Sequence, residues 1–420
     1  MNHNRIHILV CAILGLAIAS GCIPARVRNG ALFGVDPVEP PLVRVKLPHD
    51  EASLTVRGDG RYLVNAFMAG KHAPETFSTD ERVVIKHTAN GIEVRGSGDV
   101  QLAKGATGVT LFSVEPGDRL LVGKIPYHGT LIFGRFNNKP IVVNRLNLDH
   151  YLNGVLTPEL GERTDAEYEA VKAQAVAART YALRHLGQYA FAPYDLKADV
   201  SDQVYVGASQ QRDWVDHAVA ETEGEVLTYH GDLIESYYHS TCGGKTDAIE
   251  DVWHKPAKPY LVAVEDDEYC KWSKYWTWTE EFTAKSLVAN LKAYRKSVGA
   301  PIGDFSFVKD IEVVRGTPGG RALAVTITTS SGLWTVRTDQ TRWALGRPSR
   351  PGSILPSSNF EIALKRDKNG HVTSATATGR GYGHGVGLCQ CGMIGRARAG
   401  ENYRDILPHY YTGTIIERVY

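Results

Sequence analysis

The 420-residue sequence lacks a charge excess of either sign, with Lys+Arg 47 against Asp+Glu 46 and a net charge of +1. It therefore offers no general electrostatic reason to bind nucleic acid. Long apolar runs are missing too: Ile6 to Ile18 is too short to cross a bilayer with comfort. Cysteine is scarce, at six residues. The glycine-rich stretch Gly379 to Gly392 lacks the Lys-Ser/Thr ending of a nucleotide P-loop. What remains is ordinary globular material, 43% hydrophobic and long enough for two or three cores, which excludes a single small module.

Met1 to Arg5 is polar, Ile6 to Ile18 apolar, and Ala19-Ser20-Gly21-Cys22 closes the segment with small residues before a cysteine. This predicts a secretory signal. The small-small-Cys ending resembles a bacterial lipobox, which would make Cys22 an acylated first residue and a membrane anchor. Ala19 replaces the usual Leu, so ordinary signal cleavage is the alternative. Cys11 leaves with the signal, and Cys242, Cys270, Cys389 and Cys391 remain. In an exported chain disulfides are the default, and four cysteines allow three pairings. Cys389 and Cys391 are too close for an easy mutual bridge, which favours Cys242 with Cys270.

After a small-residue tether to about Pro41, Val43-Arg44-Val45-Lys46-Leu47 alternates strictly. Ser53–Val56, Arg82–Ile85, Gly91–Val94 and Val109–Leu111 follow between turn residues, predicting an antiparallel β region. Tyr127–Phe133 and Pro140–Asn144 read as further strands. Leu148, Leu152 and Val155 then fall at i, i+4 and i+7, a short helix with one buried face. Pro158 is expected to force Thr157 out of the helix and leave Glu159 on a turn. A second helix is predicted from about Asp165 to Leu186, opened by the Thr164/Glu167 capping box and closed near Gly187. Val171, Ala175, Ala178, Ala182 and Leu186 form its stripe, and Lys172 and Arg179 project from roughly one face, placed to bind an anionic or hydroxylated ligand near Glu159.

Farther on, Gly243-Gly244 and the Gly379–Gly392 stretch permit backbone shapes closed to other residues and suit ligand-contacting loops around His239 and His384, with Gln390 opening the next helix. Trp253, Tyr260, Trp272, Tyr275, Trp276 and Trp278 could form a glycan wall or pack beneath a loop. A helix from Phe282 to Tyr294 precedes strands at Asp310–Val314, Ala322–Thr328 and Leu333–Val336, the first two joined at Gly319-Gly320.

Leu148-Asp149-x-Tyr151-Leu152-x-Gly154-Val155, Thr157-Pro158-Glu159 and Lys172–Ala182 resemble the core signature of the stage II sporulation protein D family. Tyr238-His239-Ser240-Thr241-x-Gly243-Gly244, Gly383-His384-Gly385-Val386-Gly387-x-x-Gln390 and the ending Tyr403–Thr414 add to the likeness. It covers roughly Leu146 to Asp267 and Ile311 to the C-terminus. The resemblance implies an α+β fold, mostly antiparallel β with a buried Ala-rich helix, two-lobed with a cleft between the lobes. It also implies a lytic transglycosylase that cleaves peptidoglycan glycan strands, with Glu159 as acid/base.

On this reading residues 1–22 are signal and lipobox, 23–41 tether, 42–145 an N-terminal β-rich region, and 146–280 the catalytic core. Residues 281–365 are a scaffold or insertion and 366–420 the rest of the core. Lys172 and Arg179 would hold substrate or tune Glu159; His239, His384 and Gln390 would position the sugar. Some relatives bind zinc where this chain has Lys197, Ser201 and Asp202, which could not hold it that way, so no metal or other cofactor is expected. The partners implied are glycan strands, a cell-wall amidase and, through Cys22, a membrane. Two rival readings are a non-catalytic, amidase-stimulating wall protein and a metallohydrolase using His239, Cys242, Cys270 and His384.

Overall fold

The structure, a computed structural model, describes residues 39–420. The signal and lipid expectations at residues 1–22, Cys22 included, and most of the tether lie outside the described residues. Among the described residues no helix is long and apolar enough to cross a membrane. The class is α+β, and the strands pair mostly antiparallel. Two compact units interleave along the sequence: one takes the chain through Arg163, then Ala178–Glu235 and Glu417–Tyr420; the other takes Thr164–Ala177 and Ser236–Ile416.

In the first unit, one sheet orders the strands Leu196–Lys197, Leu42–Lys46, Lys139–Asn147, Thr130–Phe136, Gly108–Ser113, Tyr62–Phe67 and Glu75–Thr79. A second sheet is built on Ser53–Gly58, Val83–Thr88 and Gly91–Arg95. The alternation read at the start of the β region is real, for Val43, Val45 and Leu47 are all buried while Arg44 and Lys46 are not. The strand Lys139–Asn147 runs directly into the helix Leu148–Leu160, whose first turn is capped by the Asn147 side chain accepting from Asp149 N–H at 2.7 Å.

That helix corrects the expected turn at Glu159. It continues through Pro158 to Leu160 and ends at Gly161, whose N–H bonds Thr157 O at 2.7 Å. A proline inside a helix leaves the carbonyl four residues back without its donor. Here that carbonyl is Gly154 O, and Val206 N–H takes it at 3.2 Å. The proline therefore orphans no acceptor, and Glu159 stays helical.

The alanine-rich helix Tyr168–Arg184 follows a short turn, Asp165–Glu167, and the Thr164/Glu167 capping box is formed, with Thr164 N–H 2.9 Å from Glu167 Oε2. Burial extends beyond the predicted stripe: Ala170, Ala173, Val176 and Ala177 are as inaccessible as Val171, Ala175, Ala178 and Ala182. The helix stops two residues before Leu186, at Arg184, and Gly187 takes a positive φ of 72° just beyond.

In the second unit, the strands Val308–Arg315, Ala322–Thr329 and Gly332–Arg337 form one antiparallel sheet, and Trp278–Thr283, Val372–Gly379 and Phe360–Arg366 another. Phe282, Leu287, Leu291, Phe305, Ile327 and Phe360 share its core. The helix expected from Phe282 begins at Ala284, because Thr283 caps it through Ser286 N–H at 3.1 Å and Phe282 stays in the strand.

Candidate active site

Glu159 occupies the last turn of its helix, half-buried, between buried Thr157 and Leu160. Its Oε1 accepts the Val204 N–H at 3.3 Å. The segment Gln203–Gly207 is thus a strap along the helix, bonded at Glu159 and at Gly154 O. Three side chains seat the strap. Tyr151 Oη donates to Gln203 Oε1 at 3.1 Å, Gln203 Nε2 donates to Ala178 O at 3.4 Å, and Tyr205 Oη donates to Asn144 Oδ1 at 2.7 Å. Gly154 is where the strap presses closest: a Cβ there would lie 2.4 Å from the Tyr205 ring and 2.6 Å from Gly207 O.

Asp202, at the head of the strap, gathers four donors: Lys197 N–H at 2.9 Å, Tyr189 Oη at 2.8 Å, Gln188 Nε2 at 2.8 Å and Tyr181 Oη at 3.3 Å. A carboxylate holds this segment together through hydrogen bonds. In the sequence alone Asp202 stands out only as a poor metal ligand.

Arg179 does not project toward a ligand. It is wholly buried, and all five of its N–H groups are committed within the first unit: Asp149 Oδ1 at 3.1 Å, Tyr420 Oη at 2.9 Å, Thr222 Oγ1 at 3.4 Å, Val219 O at 3.1 Å and Glu225 O at 3.3 Å. Such a fully paired guanidinium is a structural hub. Lys172, in the second unit, pairs with Glu169 and lies 5.3 and 5.2 Å from the ring centroids of Tyr168 and Tyr403.

His239, His384 and Gln390 belong to the second unit, whereas Glu159 belongs to the first. The two histidine rings are 5.3 Å apart. The strand Tyr238–His239 pairs in parallel with Leu388–Cys389, and Gly385 and Gly387 let the intervening loop pass close. Both have positive φ, and a Cβ would meet the Arg321 guanidinium at 2.0 Å from Gly385 or Tyr237 O at 2.3 Å from Gly387. His384 Nε2–H donates to Tyr238 O at 2.9 Å, and Nδ1 accepts Val386 N–H at 3.1 Å. Burial first, and the charge of Arg342 second, push its pKa down to about 3. Both ring nitrogens are bonded to the backbone, and the ring is held neutral. His239 is also held neutral by burial; its Nδ1 faces Val386 O at 3.3 Å and its buried Nε2 has no partner among the described residues. Gln390 opens the helix Gln390–Arg398, as expected, with Cys389 Sγ capping it by accepting Gly392 N–H at 3.3 Å.

The six aromatics divide between roles. Trp278 and Tyr260 are buried, Trp253 lies tilted 4.8 Å from the His384 ring, Tyr275 lies 4.3 Å from Tyr382, and the Arg380 guanidinium lies 5.5 Å from the Trp276 ring. Trp272 is exposed; its indole N–H bonds Cys391 O at 3.0 Å.

The expected Cys242–Cys270 disulfide is not formed. Both are free thiols with sulfurs 3.5 Å apart, too far for a bond of about 2.05 Å. Cys389 and Asp266 join them, and the histidines do not. Asp266 carried no signal in the sequence, since neither its spacing nor its neighbours set it apart.

Residues 137–229, which include Glu159, Lys172, Arg179 and the strap, match the family model described as Stage II sporulation protein. Residues 269–387 match a domain of unknown function. An uncharacterized protein of Brachyspira hyodysenteriae is 32% identical over 89% of this chain and 92% of its own. The amidase enhancer of Bacillus subtilis is 30% identical, and the match covers 63% of this chain but only 40% of that protein. Stage II sporulation protein D of Bacillus subtilis is 30% identical over 65% of this chain and 75% of its own length. Agreement at that level, over three quarters of that relative's length, places the chain in the stage II sporulation protein D family.

Proposed function

We propose that the protein is an envelope enzyme that cleaves peptidoglycan glycan strands as a lytic transglycosylase, with Glu159 as its acid/base. The observation that supports this most is the setting of Glu159: a half-buried carboxylate on a helix end, held by the Val204 amide through a dedicated strap. Glu159 gives its proton to the glycosidic oxygen as the C1–O bond of the muramyl residue breaks. The muramyl 6-hydroxyl then attacks C1, and the Glu159 carboxylate takes up the hydroxyl proton, restoring the acid and leaving a 1,6-anhydro end. Water is not consumed, so the second carboxylate of an ordinary glycosidase is not required.

The Bacillus relative named amidase enhancer supports a second reading, in which the protein binds wall glycan and stimulates an amidase. One experiment separates the two. Purified protein is incubated with peptidoglycan stripped of stem peptides, and product masses are read. Anhydromuramyl ends that vanish in Glu159→Gln support the transglycosylase. Reducing ends alone make the protein a hydrolase, and intact glycan that both proteins still bind favours the amidase partner.

A further inference from the structure

We infer that Cys242, Cys270, Cys389 and Asp266 form a structural zinc site inside the second unit. The four ligand atoms, three sulfurs and a carboxylate oxygen, all lie within 4.8 Å of one another, and all four residues are buried. A tetrahedral zinc with bonds of about 2.3 Å to sulfur and about 2.0 Å to oxygen sets ligand-to-ligand edges of roughly 3.5–3.8 Å. The Cys242–Cys270 sulfurs are 3.5 Å apart and Cys242 Sγ is 3.0 Å from Asp266 Oδ2. The cluster needs only small adjustments to close on an ion.

The sulfurs are met by donors from the backbone. Backbone N–H groups point at the sulfurs: Cys242 N–H to Cys389 Sγ at 3.2 Å, Gly244 N–H to Cys242 Sγ at 3.3 Å, and Gly392 N–H to Cys389 Sγ at 3.3 Å. Donors of this kind stabilise negative sulfur. Asp266 is oriented from behind. Tyr410 Oη donates to its Oδ1 at 2.5 Å and Arg396 stands 3.5 Å from the same oxygen, which turns Oδ2 toward the sulfurs. Gly392 leaves the room this requires, since a Cβ there would lie 2.1 Å from Asp266 Oδ2.

Soft thiolates joined by one hard oxygen select zinc over calcium or magnesium. Four protein ligands fill the tetrahedron, so the ion has no open position for a reacting water and its role is structural. Loading exchanges the three thiol protons for the ion without oxidation. The ion ties the His239–Gly244 turn, the loop at Asp266–Cys270 and the start of the helix Gln390–Arg398 to one point. This inference does not rest on glycan cleavage.

The test uses the full chain purified without chelator. Elemental analysis is expected to find one zinc per chain, lost in Cys389→Ser and in Asp266→Asn but kept in Cys391→Ser. Tyr410→Phe, which retains all ligands, is expected to weaken affinity about 10-fold. Alkylation followed by peptide mass mapping is expected to label Cys391 in the native protein, and Cys242, Cys270 and Cys389 only after chelation and denaturation. Cobalt substitution is expected to give a thiolate-to-metal charge-transfer band, a readout independent of overall stability. A Cys242–Cys270 disulfide peptide in the non-reducing map overturns the inference. So does metal-free protein whose three buried cysteines label alike with and without chelator.

Discussion

Gly154→Ala separates helix propensity from the packing of the strap, because the two predict opposite signs. Gly154 lies in the interior of the helix Leu148–Leu160 with ordinary helical φ, so propensity alone predicts a gain of about 1 kcal/mol. The added methyl, however, meets Tyr205 at 2.4 Å and Gly207 O at 2.6 Å. Neither can retreat easily. Tyr205 is anchored to Asn144, and Gly207 is itself backed onto Pro126, whose carbonyl a Cβ there would meet at 2.3 Å. Overpacking of this kind costs about 1–3 kcal/mol, and parting the strap also loses the Val206 to Gly154 bond, worth about 1 kcal/mol. The net expectation is a destabilisation of about 1–3 kcal/mol. Denaturant titration followed by circular dichroism reads the sign, and hydrogen exchange at the Val204 and Val206 amides reads the site. Both amides should exchange faster. A variant stabilised by about 1 kcal/mol, with unchanged exchange at those amides, would refute the argument that the strap is wedged against the helix.

Arg179→Leu should lower the denaturation midpoint by the equivalent of about 3–5 kcal/mol, toward the lower end because Asp149 retains some solvent contact. Arg179→Lys should rescue it poorly, since a single ammonium cannot serve acceptors spread around a planar fork. His384, depressed to about 3, should show no imidazole titration by NMR above pH about 5, and an ordinary titration near 6.5 would contradict its burial. The sign of its linkage follows: the unfolded ring takes a proton below about 6.5 and the folded ring does not. Its contribution to stability is therefore fully present above that pH and lost as pH falls toward 3.

Features written in neighbouring residues were legible in the sequence. The Thr164/Glu167 box, the alternation at Val43–Leu47, the helix opening at Gln390 and the turn at Gly320 all formed where their local pattern put them. Features completed by distant partners were not. Pro158 reads as a helix stop because the donor that makes it harmless, Val206, lies far down the chain. Arg179 reads as a surface charge until Asp149, Thr222 and Tyr420 converge on it. The cysteines suggested a covalent pair because composition records how many thiols exist, not that a carboxylate from another loop stands among them.

The interleaving of the units bears on how this protein can be cut. A clone ending after residue 229, where the family match stops, would discard Glu417, which accepts from Thr228, and Tyr420, which accepts from Arg179. It would retain Thr164–Ala177 without the remainder of its own unit. Such a truncation excises a motif rather than a foldable body. During synthesis the same hub must wait for Glu417–Tyr420 to leave the ribosome before its guanidinium finds its last hydroxyl.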